Sequence, residues 1–135
     1  MYPERGQTVL VRGEAFAIST FLSHDAVTGA AKIAYVIPRP GSGSSILGGT
    51  KEKDNWSEKV DSRTTREILE RCEMLAPELL REQQEDGKKG FEVLSEQVGL
   101  RPAREGGARM EVQRDGLGMW EGRGVVHVYG HGGAG

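Results

Sequence analysis

A chain of 135 residues has the length of one domain with a workable hydrophobic core. Its formal net charge of −2 excludes a broad basic surface, and no apolar run reaches the roughly 18 residues of a membrane helix. The one cysteine, Cys72, excludes an internal disulfide and a thiolate metal cage. We therefore expect neither a nucleic-acid partner, nor a membrane partner, nor a bound metal.

The first third of the chain has short apolar runs separated by turn residues, a pattern typical of antiparallel strands. Strands are predicted at residues 8–12, 15–19 and 32–37, with a loop over residues 24–31 and a hairpin turn over residues 41–45. Pro38 should close the third strand, because proline cannot donate a ladder hydrogen bond.

One amphipathic helix is predicted to follow Thr64. Thr64 and Glu67 fit a capping box, and apolar residues then recur at helical spacing, at Ile68, Cys72, Leu75 and Leu79. Pro77 should end this helix near Ala76 or open a second, short one at Leu79.

Three further strands are predicted, at residues 91–98, 109–113 and 125–129. Strands therefore outnumber helices without regular βαβ alternation. This indicates the α+β class, with a mixed, largely antiparallel sheet and one main helix.

Arg101 and Tyr35 are the candidate ligand-binding side chains. A residue before proline favours extended backbone, so Arg101 should project from an extended segment just past a strand. A guanidinium binds a carboxylate with two parallel hydrogen bonds, although an exposed loop arginine is the ordinary alternative. The phenol of Tyr35 either hydrogen-bonds a ligand or completes the edge of the core.

The histidines suggest no metal site. His127 and His131 are four residues apart, but they fall in a strand and a glycine turn, and no cysteine or carboxylate accompanies them.

The glycine-rich segment at the end of the sequence is more informative. Residues 130–135 follow a strand and carry four glycines, so the backbone there can approach a ligand closely.

Several ordered segments carry a family resemblance. They are Arg5-Gly6-Gln7-Thr8-Val9-Leu10-Val11, Tyr35-Val36-Ile37-Pro38-Arg39-Pro40-Gly41, Leu47-Gly48-Gly49-Thr50, Asp54-Asn55-Trp56, Val98-Gly99-Leu100-Arg101-Pro102-Ala103-Arg104 and Tyr129-Gly130-His131-Gly132-Gly133-Ala134-Gly135. Together they resemble the FAD-dependent D-amino-acid oxidase family, which includes the D-aspartate oxidases. The resemblance extends over nearly the whole chain.

The resemblance implies a reaction and a set of site residues. D-Amino acids would be oxidised by FAD and molecular oxygen to 2-oxo acids, with release of ammonia and hydrogen peroxide. Arg101 and Tyr35 would bind the substrate carboxylate, and the backbone carbonyl of Gly133 would face the substrate amine. Gly132, Gly133, Ala134 and Gly135 would lie against the flavin.

Lys51 follows the Gly-Gly-Thr turn, where D-aspartate oxidases carry arginine. A lysine there could attract a side-chain carboxylate, which leads to the hypothesis of a preference for acidic D-amino acids. The alternative is an ordinary surface lysine.

The family also implies a segment that this sequence does not open with, namely a strand, a glycine-rich turn and a helix for the ADP part of FAD. We therefore expect residues 1–124 to be the substrate-binding domain with interdomain segments. Residues 125–135 would be the last strand and glycine loop of a truncated FAD-binding domain. Such a chain is expected to be inactive alone, and the alternative is a non-catalytic paralogue that keeps a carboxylate-binding site. Family members suggest a peroxisomal location, otherwise a cytoplasmic one, and leave a homodimer open.

Overall fold

The structure is a computed structural model that describes residues 1–116, 118 and 122–132. Its strands are β1 (Tyr2–Arg12), β2 (Ser19–His24), β3 (Ala31–Arg39), β4 (Ser44–Gly48), β5 (Glu52–Lys53), β6 (Arg81–Glu82), β7 (Lys89–Gly90), β8 (Val93–Ala103), β9 (Arg109–Gln113) and β10 (Val125–Tyr129). The helix α1 spans Ser62–Cys72, and a short 3₁₀ helix spans Pro77–Leu79. No helix within these described ranges is long and apolar enough to cross a membrane.

The chain forms two compact units. The larger unit comprises Gly6–Lys51 and Glu58–Gly99, and the smaller one comprises Met1–Arg5, Glu52–Ser57 and Leu100–Gly135. Each is described below by itself.

The larger unit is an antiparallel sheet with α1 against one face. Its strands lie in the order β2-β3-β4-β1. Val9 pairs with Leu47, and Leu47 pairs with Val36, so alternation places these three buried side chains on the same face. Ile68 and Cys72 of α1 belong to the same core cluster. Ile68 and Cys72, which recur at helical spacing in the sequence, therefore both contribute to the core.

The N-terminus of α1 differs from the predicted capping box. The N-cap residue is Asp61, whose carboxylate accepts from the Thr64 backbone N–H at 2.9 Å and from the Thr64 hydroxyl at 2.6 Å. The Thr64–Glu67 capping box is therefore wrong, since Thr64 is already helical. α1 ends at Cys72, before the predicted break near Ala76, and the short second helix begins at Pro77 rather than at Leu79.

The predicted strand at residues 15–19 is also displaced. The backbone N–H of Ala15 donates to the Ser45 hydroxyl and that of Phe16 donates to the Glu78 carboxylate, so side chains occupy these ladder donors. β2 begins only at Ser19 and runs into the segment predicted as loop. Pro38 does not close β3 but pairs with Ser45 inside the ladder.

The smaller unit contains the start of β1, which pairs with β5, and an antiparallel ribbon of β9 and β10. Both ribbon strands have the bounds predicted from the sequence. In the described ranges β8 also pairs with β1, the pairings of known register are antiparallel, and α1 is the one α-helix, which agrees with the predicted α+β class.

Candidate functional site

Arg101 lies within β8, whereas the sequence predicts it just past the end of a strand. The strand continues through Pro102 to Ala103, because proline fits extended backbone even though it lacks a ladder donor. Arg101 is half-buried, and among the described residues it makes no hydrogen bond or ion pair.

A cleft of about 260 Å³ in the smaller unit is lined by Arg101. Its other lining residues are 1–3, Trp56, Leu100 and Pro102. These side chains are apolar except for the phenol of Tyr2. The guanidinium therefore places a side-chain positive charge in a cleft whose other side chains are mostly apolar, an arrangement that suits an anion with an apolar body.

The described part of the glycine turn lies beside the Arg101 strand. The backbone N–H of Gly132 donates to the carbonyl oxygen of Pro102 at 3.0 Å, and His131 forms a β-bridge with Ala103. Gly130 has a φ of 79°, and a Cβ there would come within 2.6 Å of the Arg104 Cβ. Glycine is thus required at position 130 by both backbone conformation and packing.

Gly132 is the one predicted flavin-contacting residue that lies in the described part of the chain. Its φ is 65°, and a Cβ would lie 3.2 Å from Glu4 Oε2. Gly133, Ala134 and Gly135 lie outside the described residues. The structure therefore places the turn that carries Gly132 beside the strand β8 that carries Arg101, within one unit.

Tyr35 belongs to the larger unit, where it pairs with Gly48 across β3 and β4. Its ring lies directly on bare backbone, since a Cβ at Gly48 or Gly49 would come within 2.1 and 2.7 Å of ring atoms. The ring is half-buried, and its hydroxyl forms no hydrogen bond within the described chain. Tyr35 is therefore available to a ligand from this unit.

Lys51 is exposed and lies two residues beyond Gly49 in the larger unit. It follows the strand that carries the Tyr35 partner, so Tyr35 and Lys51 approach the same end of β4. The four described candidates thus fall into two pairs, Tyr35 with Lys51 in one unit and Arg101 with Gly132 in the other.

Charges near the cleft are paired. Lys53 Nζ lies 2.8 Å from Glu105 Oε1 and 4.5 Å from the centroid of the Tyr2 ring. The hydrogen bond to Glu105 raises the pKa of Lys53, and the same bond lowers the pKa of Glu105. The Lys53 ammonium therefore already has an anionic partner in Glu105.

Trp56 is a cleft residue to which the sequence assigned no role. An isolated tryptophan between polar residues, in Asn55-Trp56-Ser57, was the available signal. In the described ranges no group of three or more histidine, cysteine or acidic residues could hold a metal.

Comparisons with known proteins agree with this fold. The profile of the DAO family of FAD-dependent oxidoreductases matches residues 1–135. A D-amino-acid oxidase of Schizosaccharomyces pombe is 37% identical over 137 residues, which cover 100% of this chain and 36% of that protein. A D-aspartate oxidase of Talaromyces thermophilus is 37% identical over 131 residues, which cover 97% of this chain and 31% of that protein.

Among solved structures, glycine oxidase from Bacillus cereus ATCC 14579 has the same fold in the matched region. The TM-score is 0.62 at 22% identity, with 96% of this chain and 30% of that chain covered. The chain belongs to the DAO family of FAD-dependent oxidoreductases, and the predicted resemblance is confirmed. FAD is the cofactor of that family. The chain spans about a third of the length of the curated relatives that it matches.

Proposed function

We propose that this chain supplies the substrate-holding part of an oxidase that converts D-amino acids, oxygen and water into 2-oxo acids, ammonia and hydrogen peroxide. The observation that carries the proposal is the half-buried Arg101 guanidinium, which lines an apolar cleft and has no partner among the described residues. A charge in such a place is costly unless an anion pairs with it. The relatives named as D-amino-acid oxidases support a carboxylate as that anion.

Each candidate residue has a separate task in this proposal. Arg101 pairs with the substrate carboxylate through two parallel hydrogen bonds, and the Tyr35 hydroxyl donates a third. The carbonyl of Gly133 accepts from the substrate amine. These contacts hold the substrate Cα in one orientation, and orientation supplies much of the rate gain in such a reaction.

The glycine turn would hold the flavin. Gly130 and Gly132 present backbone without side chains, and the Gly132 N–H is already paired with Pro102, so a planar ring could lie against this turn without leaving that donor unsatisfied. FAD, when bound, would accept the hydride from the substrate Cα. We assign residues 1–124 to the substrate-binding domain and residues 125–135 to the FAD-binding domain.

A preference for acidic D-amino acids is the finer part of the proposal. Lys51 is exposed at the end of the segment on which the Tyr35 ring lies, and an ammonium there would attract a second carboxylate. A relative named as a D-aspartate oxidase supports this reading.

A non-catalytic carboxylate-binding protein is the second candidate. It is favoured by the fact that residues of this chain form the Arg101 cleft unaided. Hydrogen peroxide formed from D-alanine in the presence of added FAD would exclude it. Carboxylate binding without peroxide is expected of both candidates when the chain is alone, so it does not separate them.

The test of Arg101 is a binding titration of the 135-residue chain with D-alanine and D-aspartate, followed by NMR. Arg101→Gln should weaken binding of both ligands roughly 10- to 100-fold, because hydrogen bonds between charged groups contribute about 1.5–3 kcal/mol. Lys51→Ala should weaken binding of D-aspartate more than that of D-alanine.

Arg114→Gln is the matched control, since Arg114 is an exposed arginine of the same unit and lies outside the cleft. It should leave both affinities unchanged. D-Alaninamide, which lacks the carboxylate, should bind poorly to every variant. Equal affinities of the natural chain and Arg101→Gln would remove the proposal, and equal effects of Lys51→Ala on both ligands would remove the acidic preference alone.

A further inference from the structure

The indole of Trp56 lines the Arg101 cleft and is still 73% exposed. An isolated exposed apolar side chain is ordinary on a protein surface. This one differs because it lines a cleft with the Arg101 guanidinium, which has no partner among the described residues, and an incoming apolar group could bury much of the indole there.

The backbone on both sides of Trp56 is held in place. The Asn55 side chain accepts from the Ser57 backbone N–H at 2.9 Å and donates to Glu52 at 2.5 Å. The guanidinium of Arg5, which is buried, donates to the Ser57 carbonyl at 2.9 Å and to Glu52 at 2.7 Å. The backbone around Trp56 is therefore held in place, so a ligand does not have to order this segment.

The other walls of the cleft are apolar as well. Leu100 and Pro102 flank Arg101 in β8, and the Tyr2 ring lies under the ammonium of Lys53. The charge of Lys53 is already paired with Glu105. The cleft thus offers the Arg101 guanidinium and several apolar surfaces, which complement a carboxylate attached to an aliphatic or aromatic group.

We propose that Trp56 is a specificity-determining residue, whose indole packs against the apolar body of a ligand that Arg101 holds by its carboxylate. This inference rests on the proposed role of Arg101. It makes a demand on the ligand opposite to that of Lys51, because an apolar wall favours apolar substituents and a lysine favours acidic ones.

The test compares two monocarboxylates, acetate and phenylacetate, which differ by an aromatic ring. Their dissociation constants for the chain are measured by NMR titration, with the Trp56 indole N–H resonance as a second readout. Phenylacetate should bind about tenfold more tightly than acetate, the effect expected from burying part of one ring. Trp56→Ala should abolish this ratio and leave acetate binding unchanged, whereas Trp56→Phe should keep most of it.

Phe16→Ala is the control, since Phe16 is 88% exposed and lies in the other unit. It should not change the ratio. A phenylacetate-to-acetate ratio that survives Trp56→Ala would overturn the inference, and so would a Trp56 indole resonance that phenylacetate does not shift.

Arg101→Gln separates the two levels of the argument. If it weakens both carboxylates while Trp56→Ala leaves their ratio intact, the proposed function stands and the role of Trp56 falls. If it weakens neither, the proposed function itself falls, because the guanidinium then does not hold the carboxylate.

Discussion

At the scale of single residues, Cys72 shows how the core constrains chemistry. Its side chain is fully buried, and Sγ lies 3.5 Å from the Tyr35 carbonyl oxygen and 3.6 Å from that of Gly48. Burial raises the pKa of this thiol, because the thiolate would lose its hydration. The cysteine therefore behaves as a small apolar core residue with a weak donor.

The raised pKa predicts a dependence of stability on pH. Below the unfolded-state pKa of about 8.5 the thiol is neutral in both states and has no effect on the pH dependence. As the pH rises above that value, the unfolded thiol ionises while the folded one stays neutral, so the free energy of unfolding should fall. The natural chain should therefore lose more stability between pH 8 and 10 than Cys72→Ala, as measured by urea unfolding. Parallel curves for the two proteins would contradict this.

At the scale of elements, the N-terminus of α1 provides a direct contrast between sequence and structure. Asp61→Ala should destabilise the protein by about 1 kcal/mol or more, because it leaves the Thr64 backbone N–H without its acceptor. Thr64→Ala should cost less, since Thr64 contributes only its hydroxyl bond to Asp61. Chemical denaturation measures both changes. The reverse order would restore the capping box predicted from the sequence, and Asp61→Asn, which keeps an acceptor, serves as the control.

The elements also show which sequence signals are sufficient. The alternation of Arg109–Gln113 predicted β9 and the apolar segment Val125–Tyr129 predicted β10, because both signals are local to their segments. The apolar run 15–19 misled, because the acceptors for its backbone donors are Ser45 and Glu78, at sequence distances that no local pattern reports. The sequence also missed that Arg101 lies inside β8, because Pro102 is a residue type that often ends a strand.

The candidate site also has a part that local sequence signals could predict and a part that they could not. Arg101 and Tyr35 could be nominated from their residue types and neighbours. The cleft could not, because it depends on residues 1–3, Trp56 and residues 100–102 meeting across long stretches of sequence. Its support by Arg5 also depends on contacts separated by about fifty positions.

At the scale of the whole molecule, the two units differ in core content. In the described ranges the buried apolar residues of the larger unit include Val9, Val36, Leu47 and Ile68, whereas the smaller unit has Ala103. Free energy of local opening follows the number of buried apolar contacts. Backbone amides of β9 and β10 should therefore exchange with deuterium much faster than those of β3 and β4. Mass spectrometry of peptic fragments measures this, and equal protection of the two sets would be inconsistent with it.

The Tyr35 ring over Gly48 and Gly49 has an evolutionary consequence. Because a methyl group at either glycine would overlap the phenol, the residues tolerated at positions 48 and 49 depend on the residue at position 35. A lineage that replaced one glycine would need a smaller residue at 35 in the same history, and it would lose the hydroxyl with it. Where the glycine pair survives among descendants of this gene, room for the phenol survives with it.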